Sequence, residues 1–133
     1  MIPEFDDQGY LPPGIHPATL GEIATRFGRE SEIRQAEAQS LEWLCELAWN
    51  AGVKRLIVDG SFVSDVLEPN DVDCVLLIED DYPLDIAADE ALQEGLPFLQ
   101  LIFAQQPDFD WYVGVGFGWD LDNRPKGMVE VLR

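Results

Sequence analysis

Two apolar runs joined by a glycine-serine turn constrain the fold of this chain more than any other feature. The first run ends in Gly60 and Ser61. After residues 62–70 the second run opens with Asp71 and Asp73 and is apolar at nearly every other position, which is typical of an interior strand. Because side chains alternate between the faces of a strand, the two aspartates point the same way. A pair of carboxylates beside a side-chain-free turn has the groups needed to hold a metal ion and a phosphate chain.

The pattern resembles the core signature of the DNA-polymerase-β-like nucleotidyltransferase superfamily, which is an apolar strand, Gly-Ser, a spacer, and an acid-apolar-acid-apolar strand. In this chain it stands as Val58-Asp59-Gly60-Ser61 and Asp71-Val72-Asp73-Cys74. Residues 2–6, 11–17, 58–63 and 68–71 together also resemble a family of small bacterial nucleotidyltransferase-like proteins. The resemblance implies a nucleotidyltransferase-like fold of the α/β (α+β) class, with a mixed central sheet flanked by helices. The length of 133 residues favours one domain over residues 1–133, with 1–16 as an extended segment packed on it.

The resemblance also implies roles for individual residues. Gly60 lets the backbone approach a phosphate closely, and Ser61 offers its hydroxyl and amide to the bound nucleotide. Asp71 and Asp73 are the expected catalytic carboxylates and hold one or two Mg²⁺ ions, which prefer carboxylate and phosphate oxygens. A nucleoside triphosphate is then the substrate, and a protein or small molecule the acceptor. The alternative is an ordinary strand–turn–strand that holds no ligand.

Catalytic members of the superfamily usually carry a third carboxylate on a neighbouring strand, which helps bind metal and can deprotonate the acceptor. The position that matches it here is Gln100, and an amide cannot act as a base. Glu130 on the predicted last strand, or Asp110, is expected to reach the site instead. Asp59 adjoins the turn and is expected to face away. The sequence therefore leaves open whether the site is active or catalytically weakened.

The triphosphate also needs cations. Arg124 and Lys126, on a predicted turn before the last strand, are the expected phosphate contacts. A solvated turn explains these two residues equally well.

The chain is strongly acidic, with 26 Asp and Glu residues against 8 Lys and Arg and a formal net charge of −18. Such a surface repels DNA and RNA, so extended contact with nucleic acid is not expected. The charge suits a small metal-bound nucleotide or a basic protein partner, and it also favours solubility by itself. The alternative function is therefore a catalytically degenerate interaction module, comparable to one member of a toxin–antitoxin pair.

The compartment follows from the cysteines and from the apolar runs. Two cysteines indicate a reducing compartment rather than a disulfide framework. No apolar run approaches the ~20 residues needed to cross a membrane, and the first residues do not resemble a secretory signal. We therefore expect a cytoplasmic protein without membrane contact.

Local signals predict helices over 17–28, 31–51 and 84–95, and strands over 55–60, 72–78, 98–104 and 128–132. Pro17 suits a first helical position, and Thr19 with Glu22 has capping-box spacing. Ser31 can cap the second helix, and Gly52 can end it. The strand 98–104 is expected to be buried. Residues 106–120 are expected to form a loop followed by a glycine-rich strand or flap.

Overall fold

The computed structural model describes residues 2–116 and 126–133. The helices are α1 (Leu20–Phe27), α2 (Glu32–Ala51), α3 (Ile86–Glu94) and α4 (Gln106–Trp111). The strands are β1 (Gly14–Thr19), β2 (Arg55–Asp59), β3 (Val72–Leu77), β4 (Leu99–Ala104) and β5 (Gly127–Leu132). A 3₁₀ turn (Ser61–Val63) follows β2, and a π-helical turn (Tyr112–Gly116) follows α4.

The five strands form one mixed sheet in the order β1-β5-β2-β3-β4. β2 runs antiparallel to both of its neighbours, β3 and β5, whereas β1 pairs with β5, and β3 with β4, in parallel. The predicted fold class, a mixed sheet flanked by helices in one small α+β domain, is confirmed. No helix of the described ranges is both long enough and apolar enough to cross a membrane.

Apolar side chains are buried on both faces of the sheet. On one face Leu56, Val58 and Leu76 belong to the main core, which also includes buried residues of α1, α2 and α3. On the opposite face a smaller cluster packs around Phe109 of α4 and includes Val75. The strand register places Asp59 and Asp73 on this second face, at the end of the sheet beyond the apolar cluster.

The predicted helix caps are confirmed because they depend on local contacts. Thr19 and Glu22 form a capping box at the start of α1, with each side chain accepting from the other residue's amide. The Ser31 side chain accepts a hydrogen bond from the amide of Arg34 at the start of α2. Gly52 ends α2 in the left-handed conformation.

The prediction that Pro17 starts a helix is wrong. Pro17 lies inside β1, where it pairs in parallel register with Glu130 of β5, and α1 begins three residues later. β1 has no strand periodicity of its own, because it forms at the sheet edge through its pairing with β5. The extended N-terminal segment therefore ends before Gly14 rather than at residue 16.

Two further expectations are wrong. β4 is an edge strand, and Gln100 is exposed rather than buried. Residues 106–116 form α4 and the π-helical turn instead of a loop and a glycine-rich strand, with Pro107 in the first turn of α4 where its missing N–H needs no partner. The rest of the predicted glycine-rich segment lies outside the described residues.

The core-facing side of α2 is more polar than its apolar pattern predicts. Arg34, Glu37 and Ser40 are each at most 3% exposed. Ile33 and Ala36, two apolar residues in the same half of the helix, are only partly buried. The first half of α2 therefore presents a charged face to the segment that links β2 and β3.

Candidate functional site

A row of three polar side chains crosses the end of the sheet where β2 stops and β3 and β4 begin. Asp59 of β2 is directly opposite Asp73 of β3, and Asp73 is in register with Gln100 of β4. Side chains at directly paired positions share a face and lie about 5 Å apart at Cβ in an antiparallel pair. Asp59 therefore faces the candidate site, and the expectation that it faces away is wrong.

The turn after β2 places glycine backbone against this row. Gly60 has φ = +82°, a left-handed backbone conformation that residues other than glycine rarely adopt. A Cβ at position 60 would overlap the carboxylate of Asp73. Only glycine therefore allows the Asp73 carboxylate to lie over the backbone of the turn.

Ser61 starts the 3₁₀ turn and is partly exposed. This turn is too short to act as a helix N-terminus towards an anion. The position of this turn is fixed by Arg34 of α2, which donates hydrogen bonds to the carbonyls of Phe62 (2.8 Å) and Ser64 (2.8 Å). Further bonds from Arg34 reach the carbonyls of Phe27, Ser61 and Val66. The guanidinium is thus committed to holding residues 61–66 in place.

Asp59 is a buried carboxylate with little compensation for its charge. It is 1% exposed, and neither of its oxygens accepts a hydrogen bond of ordinary geometry. The Lys126 ammonium lies 3.8 Å from Oδ1. Burial raises the pKa of Asp59 to about 6, and Asp73 adds to the rise, whereas Lys126 and the Gly60 amide oppose it. Position 59 therefore carries a negative charge at neutral pH that the fold compensates only weakly.

Asp73 is half-buried, and its neighbour Asp71 lies just before β3, also half-buried. Burial raises the pKa of Asp73, the charge of Asp71 raises it further, and Lys126 lowers it. Asp59, Asp71 and Asp73, called the acidic row below, thus lie near one another at this end of the sheet: Asp73 raises the pKa of Asp59, Asp71 raises that of Asp73, and Lys126 lowers both. Of the three, Asp59 and Asp73 are fixed opposite each other by the strand register. A bound cation would relieve the repulsion between these like charges.

The residues considered for the role of the third carboxylate interact elsewhere or are exposed. Glu130 faces the same side of the sheet but accepts two hydrogen bonds from Arg55, at 3.0 and 2.7 Å, in a bidentate ion pair. Asp110 lies near the same arginine, whose pKa it raises together with Glu130. Gln100 is beside Asp73 but is exposed. The acid that the fold does bring to Asp73 is Asp59.

Of the two expected phosphate contacts, Lys126 lies at the site, where it forms an ion pair with Asp59. Arg124 falls outside the described residues. Lys126 directly precedes β5, and its side chain is 18% exposed. It is therefore the cation that the described part of the chain offers next to the acidic row.

The donor set fits Mg²⁺ in a limited sense. Carboxylates are hard ligands, and Mg²⁺ is commonly held by one or two of them, with waters and phosphate oxygens completing the octahedron. The two oxygens of Asp59 without partners and the close approach of Gly60 to Asp73 are consistent with such an ion. Within residues 2–116 and 126–133, no group of three or more histidine, cysteine, aspartate or glutamate side chains has an arrangement suited to a metal ion.

A second buried acid lies in α2. Glu37 is fully buried, and neither of its carboxylate oxygens has a hydrogen-bond partner. Burial raises the pKa of Glu37 to about 7, the charge of Arg34 lowers it, and Asp71 raises it. Glu37 of α2 and Asp71 at the acidic end of the sheet therefore interact electrostatically.

The sequence pattern missed Asp59, Arg34 and Glu37. Strand parity could have suggested Asp59, but only the register between β2 and β3 shows that it is opposite Asp73. Charged residues on a long helix are usually solvated, so nothing in the spacing of Arg34 and Glu37 indicated burial.

The fold and the site together define a small α+β domain that presents an acidic row beside a glycine turn at one end of its sheet. The chain belongs to DUF6932, a family of unknown function, which matches residues 3–132. No curated protein and no solved structure matches the chain.

Proposed function

We propose that this protein is a nucleotidyltransferase-like protein that binds a nucleoside triphosphate with Mg²⁺ and transfers a nucleotidyl group to a protein or small-molecule acceptor. The observation that carries the proposal is the contact between Gly60, at φ = +82°, and the carboxylate of Asp73. This contact brings partly exposed backbone and carboxylate oxygens to one point, which a nucleotide with its metal requires.

In this function the acids, the glycine-serine turn and Lys126 have separate roles. Asp71 and Asp73 would hold Mg²⁺, which neutralises phosphate charge when it is bound. The backbone at Gly60 and the hydroxyl of Ser61 would contact phosphate oxygens, and Lys126 would supply a positive charge beside them. Lys126 lies 3.8 Å from Asp59, so it can serve this role only by exchanging one anionic partner for another.

Nucleotide titrations test the proposal. We expect ATP or another nucleoside triphosphate to bind in the presence of Mg²⁺ and to be released by EDTA, as measured by calorimetry. Asp73→Asn should weaken binding at least about tenfold, since it removes one charged ligand. Asp7→Asn, at an exposed position, removes the same charge and should leave affinity unchanged. Absence of metal-dependent binding in the wild type would refute the proposed function.

A non-catalytic module that binds a basic partner is the second candidate. A cavity of about 300 Å³ supports it, because its apolar walls, which include Phe27 and Leu67, could take an apolar anchor. Its charged lining is balanced, with the acids Glu30 and Asp65 and the bases Arg26 and Arg34, so the attraction for a basic partner comes from the surface around it. Leu67 and its neighbour Val66 are 71% and 44% exposed, so the rim of the cavity carries adjoining apolar surface that a partner could cover. A basic segment with an apolar anchor would complement both the cavity and the net charge of −18.

A pull-down from the native host at moderate salt discriminates between the two functions. The second candidate predicts a stoichiometric complex that high salt dissociates, that nucleotide does not affect and that Leu67→Asp abolishes. A protein without a partner that transfers labelled nucleotide to an acceptor would exclude this candidate. For either function we propose a cytoplasmic location, which the two buried, free cysteines support.

A further inference from the structure

The carboxylate of Asp59 is buried with less compensation than a buried charge needs. Neither of its oxygens accepts a hydrogen bond of ordinary geometry, it is 1% exposed, and another carboxylate, Asp73, lies directly opposite it in the sheet. Burying an unpaired charge costs several kcal/mol, so natural cores seldom keep one without a counter-ion or a role. Asn or Val at this position would satisfy the strand at lower cost.

The ion pair with Lys126 compensates this charge only in part. The distance of 3.8 Å lies beyond hydrogen-bond range, and one ammonium serves two acids, because Lys126 also lowers the pKa of Asp73. A single positive charge therefore faces two carboxylates across the β2–β3 ladder. A divalent cation at the same place would balance both.

Geometry makes Asp59 the closer partner of Asp73. Directly paired side chains on antiparallel strands lie about 5 Å apart at Cβ, whereas positions two apart on one extended strand are separated by about 7 Å. Asp71 also precedes the first residue of β3, outside the ladder that fixes the other two acids. The ladder thus holds Asp59 and Asp73 rigidly together.

We propose that Asp59 and Asp73, facing each other across β2 and β3, are the principal ligands of a divalent cation, and that Lys126 occupies the ion's place when it is absent. In this assignment Asp59 replaces Asp71 as the second ligand beside Asp73, and Asp71 contributes charge at the rim of the site. The inference rests on the proposed function for the identity of the ion, and it assigns a ligand that the sequence pattern excluded. Binding of the ion displaces the ammonium of Lys126, which becomes free to contact an anion.

Mn²⁺ binding to the full chain without nucleotide tests this assignment, because Mn²⁺ accepts the same oxygen ligands as Mg²⁺ and is visible by electron paramagnetic resonance. We expect Asp59→Asn to weaken Mn²⁺ binding at least about tenfold, and more than Asp71→Asn does, because it removes one of the two paired charges. Lys126→Met should tighten Mn²⁺ binding by about tenfold, because it removes the competing ammonium.

The exposed ion pair between Lys54 and Asp81, at 3.1 Å, supplies matched controls. Lys54→Met removes the same charge as Lys126→Met, and Asp81→Asn removes the same charge as Asp59→Asn. Both controls should leave Mn²⁺ affinity within about twofold of wild type, because exposed charges are screened. Unchanged affinity in folded Asp59→Asn would overturn the inference. If that variant does not fold, Lys126→Met decides, and failure of this variant to tighten binding shows that the Asp59–Lys126 pair is purely structural.

These outcomes separate the inference from the proposed function. A wild type that binds Mg²⁺-nucleotide, loses it in Asp73→Asn and keeps it in Asp59→Asn supports the function and refutes the ligand assignment. A wild type that binds Mn²⁺ through Asp59 but binds no nucleotide supports the ligand assignment and refutes the proposed function.

Discussion

At the scale of single residues, the molecule depends on groups placed where their chemistry is unfavourable for stability. Gly60 adopts a left-handed conformation, and Asp59 and Glu37 are buried carboxylates whose oxygens accept no hydrogen bond of ordinary geometry. Each lies in or next to the end of the sheet that carries the acidic row. Strained or poorly compensated groups persist mainly where they serve a function, and their concentration at one end of the sheet agrees with a site there.

Replacing Gly60 with alanine should destabilise the fold and displace Asp73. A Cβ there meets both an unfavourable φ and the Asp73 carboxylate, so we expect a loss of about 2–3 kcal/mol in the free energy of unfolding and loss of Mn²⁺ binding. Gly95→Ala is the matched control, since Gly95 has φ = +92° but open space around a new Cβ. It should cost only about 1 kcal/mol. Equal losses measured by urea denaturation would contradict the packing argument.

Glu37 should make stability fall as pH rises. Burial raises the pKa of Glu37 to about 7 from an ordinary value of 4.5, so the folded state binds a proton that the unfolded state has released between these values. Stability is therefore lost as pH rises through this window, by about 3 kcal/mol in full. Glu37→Gln removes the ionisation, and its stability relative to wild type should increase by about that amount between pH 5 and pH 8.

The measurement is urea denaturation of both proteins at each pH. Glu42→Gln, at an exposed position of the same helix, is the control, and its difference from wild type should stay within about 0.5 kcal/mol at both pH values. A Glu37→Gln difference that does not vary with pH would show that Glu37 stays protonated or is stabilised by another group.

At the scale of elements, the segment between β2 and β3 is organised by a helix rather than by its own sequence. Arg34 of α2 binds five different carbonyls, four of them within residues 61–66. Carbonyls at such a turn would otherwise need water or other partners. The position of Gly60 and Ser61 therefore depends on a side chain that lies more than 20 residues earlier in the chain.

Arg34→Met should release this segment. The variant leaves buried carbonyls and Glu37 without the guanidinium, so we expect a loss of about 3–5 kcal/mol. Amide hydrogen exchange at Val63 and Ser64 should accelerate more than exchange in β2. Arg29→Met, at an exposed position, should change neither quantity. Uniform acceleration across the sheet would show that Arg34 stabilises the whole fold and not this segment in particular.

The elements also show what the sequence can and cannot predict. Caps such as Thr19 with Glu22 depend on residues three apart, so the pattern finds them. β1 depends on pairing with β5 more than 100 residues away, and local propensity at Pro17 favoured a helix instead. The Gly60 turn and the Asp71–Asp73 strand were predictable from spacing. The partnership of Asp59 with Asp73 was not, because register is a property of two strands together.

At the scale of the whole molecule, charge is the dominant feature. A net charge of −18 on 133 residues destabilises the compact state through repulsion. With 8 Lys and Arg against 26 Asp and Glu, most acids have no basic residue to pair with. Screening of the repulsion should therefore outweigh the weakening of ion pairs such as those of Lys54, Arg55 and Lys126.

Salt should therefore stabilise the protein. Raising NaCl from about 10 to about 200 mM shortens the Debye length from about 30 to below 10 Å, and we expect the thermal midpoint to rise by about 3–5 °C. Calorimetry at constant pH measures the shift, and sucrose, which is uncharged, separates screening from exclusion effects. A midpoint that falls with NaCl would show that the local ion pairs control stability. Divalent ions should exceed the NaCl effect at equal ionic strength if they occupy the acidic row.

The strand order has a consequence for the order of folding. β5, residues Gly127–Leu132, lies between β1 and β2 and therefore joins β1 to the remainder of the sheet. Pairing of β2 with β3 closes a short loop, whereas pairing of β1 with β5 closes a loop of more than 100 residues. Because closing a longer loop costs more entropy, we expect β2 and β3 to pair first and the edge of β2 to stay open to intermolecular pairing until β5 docks.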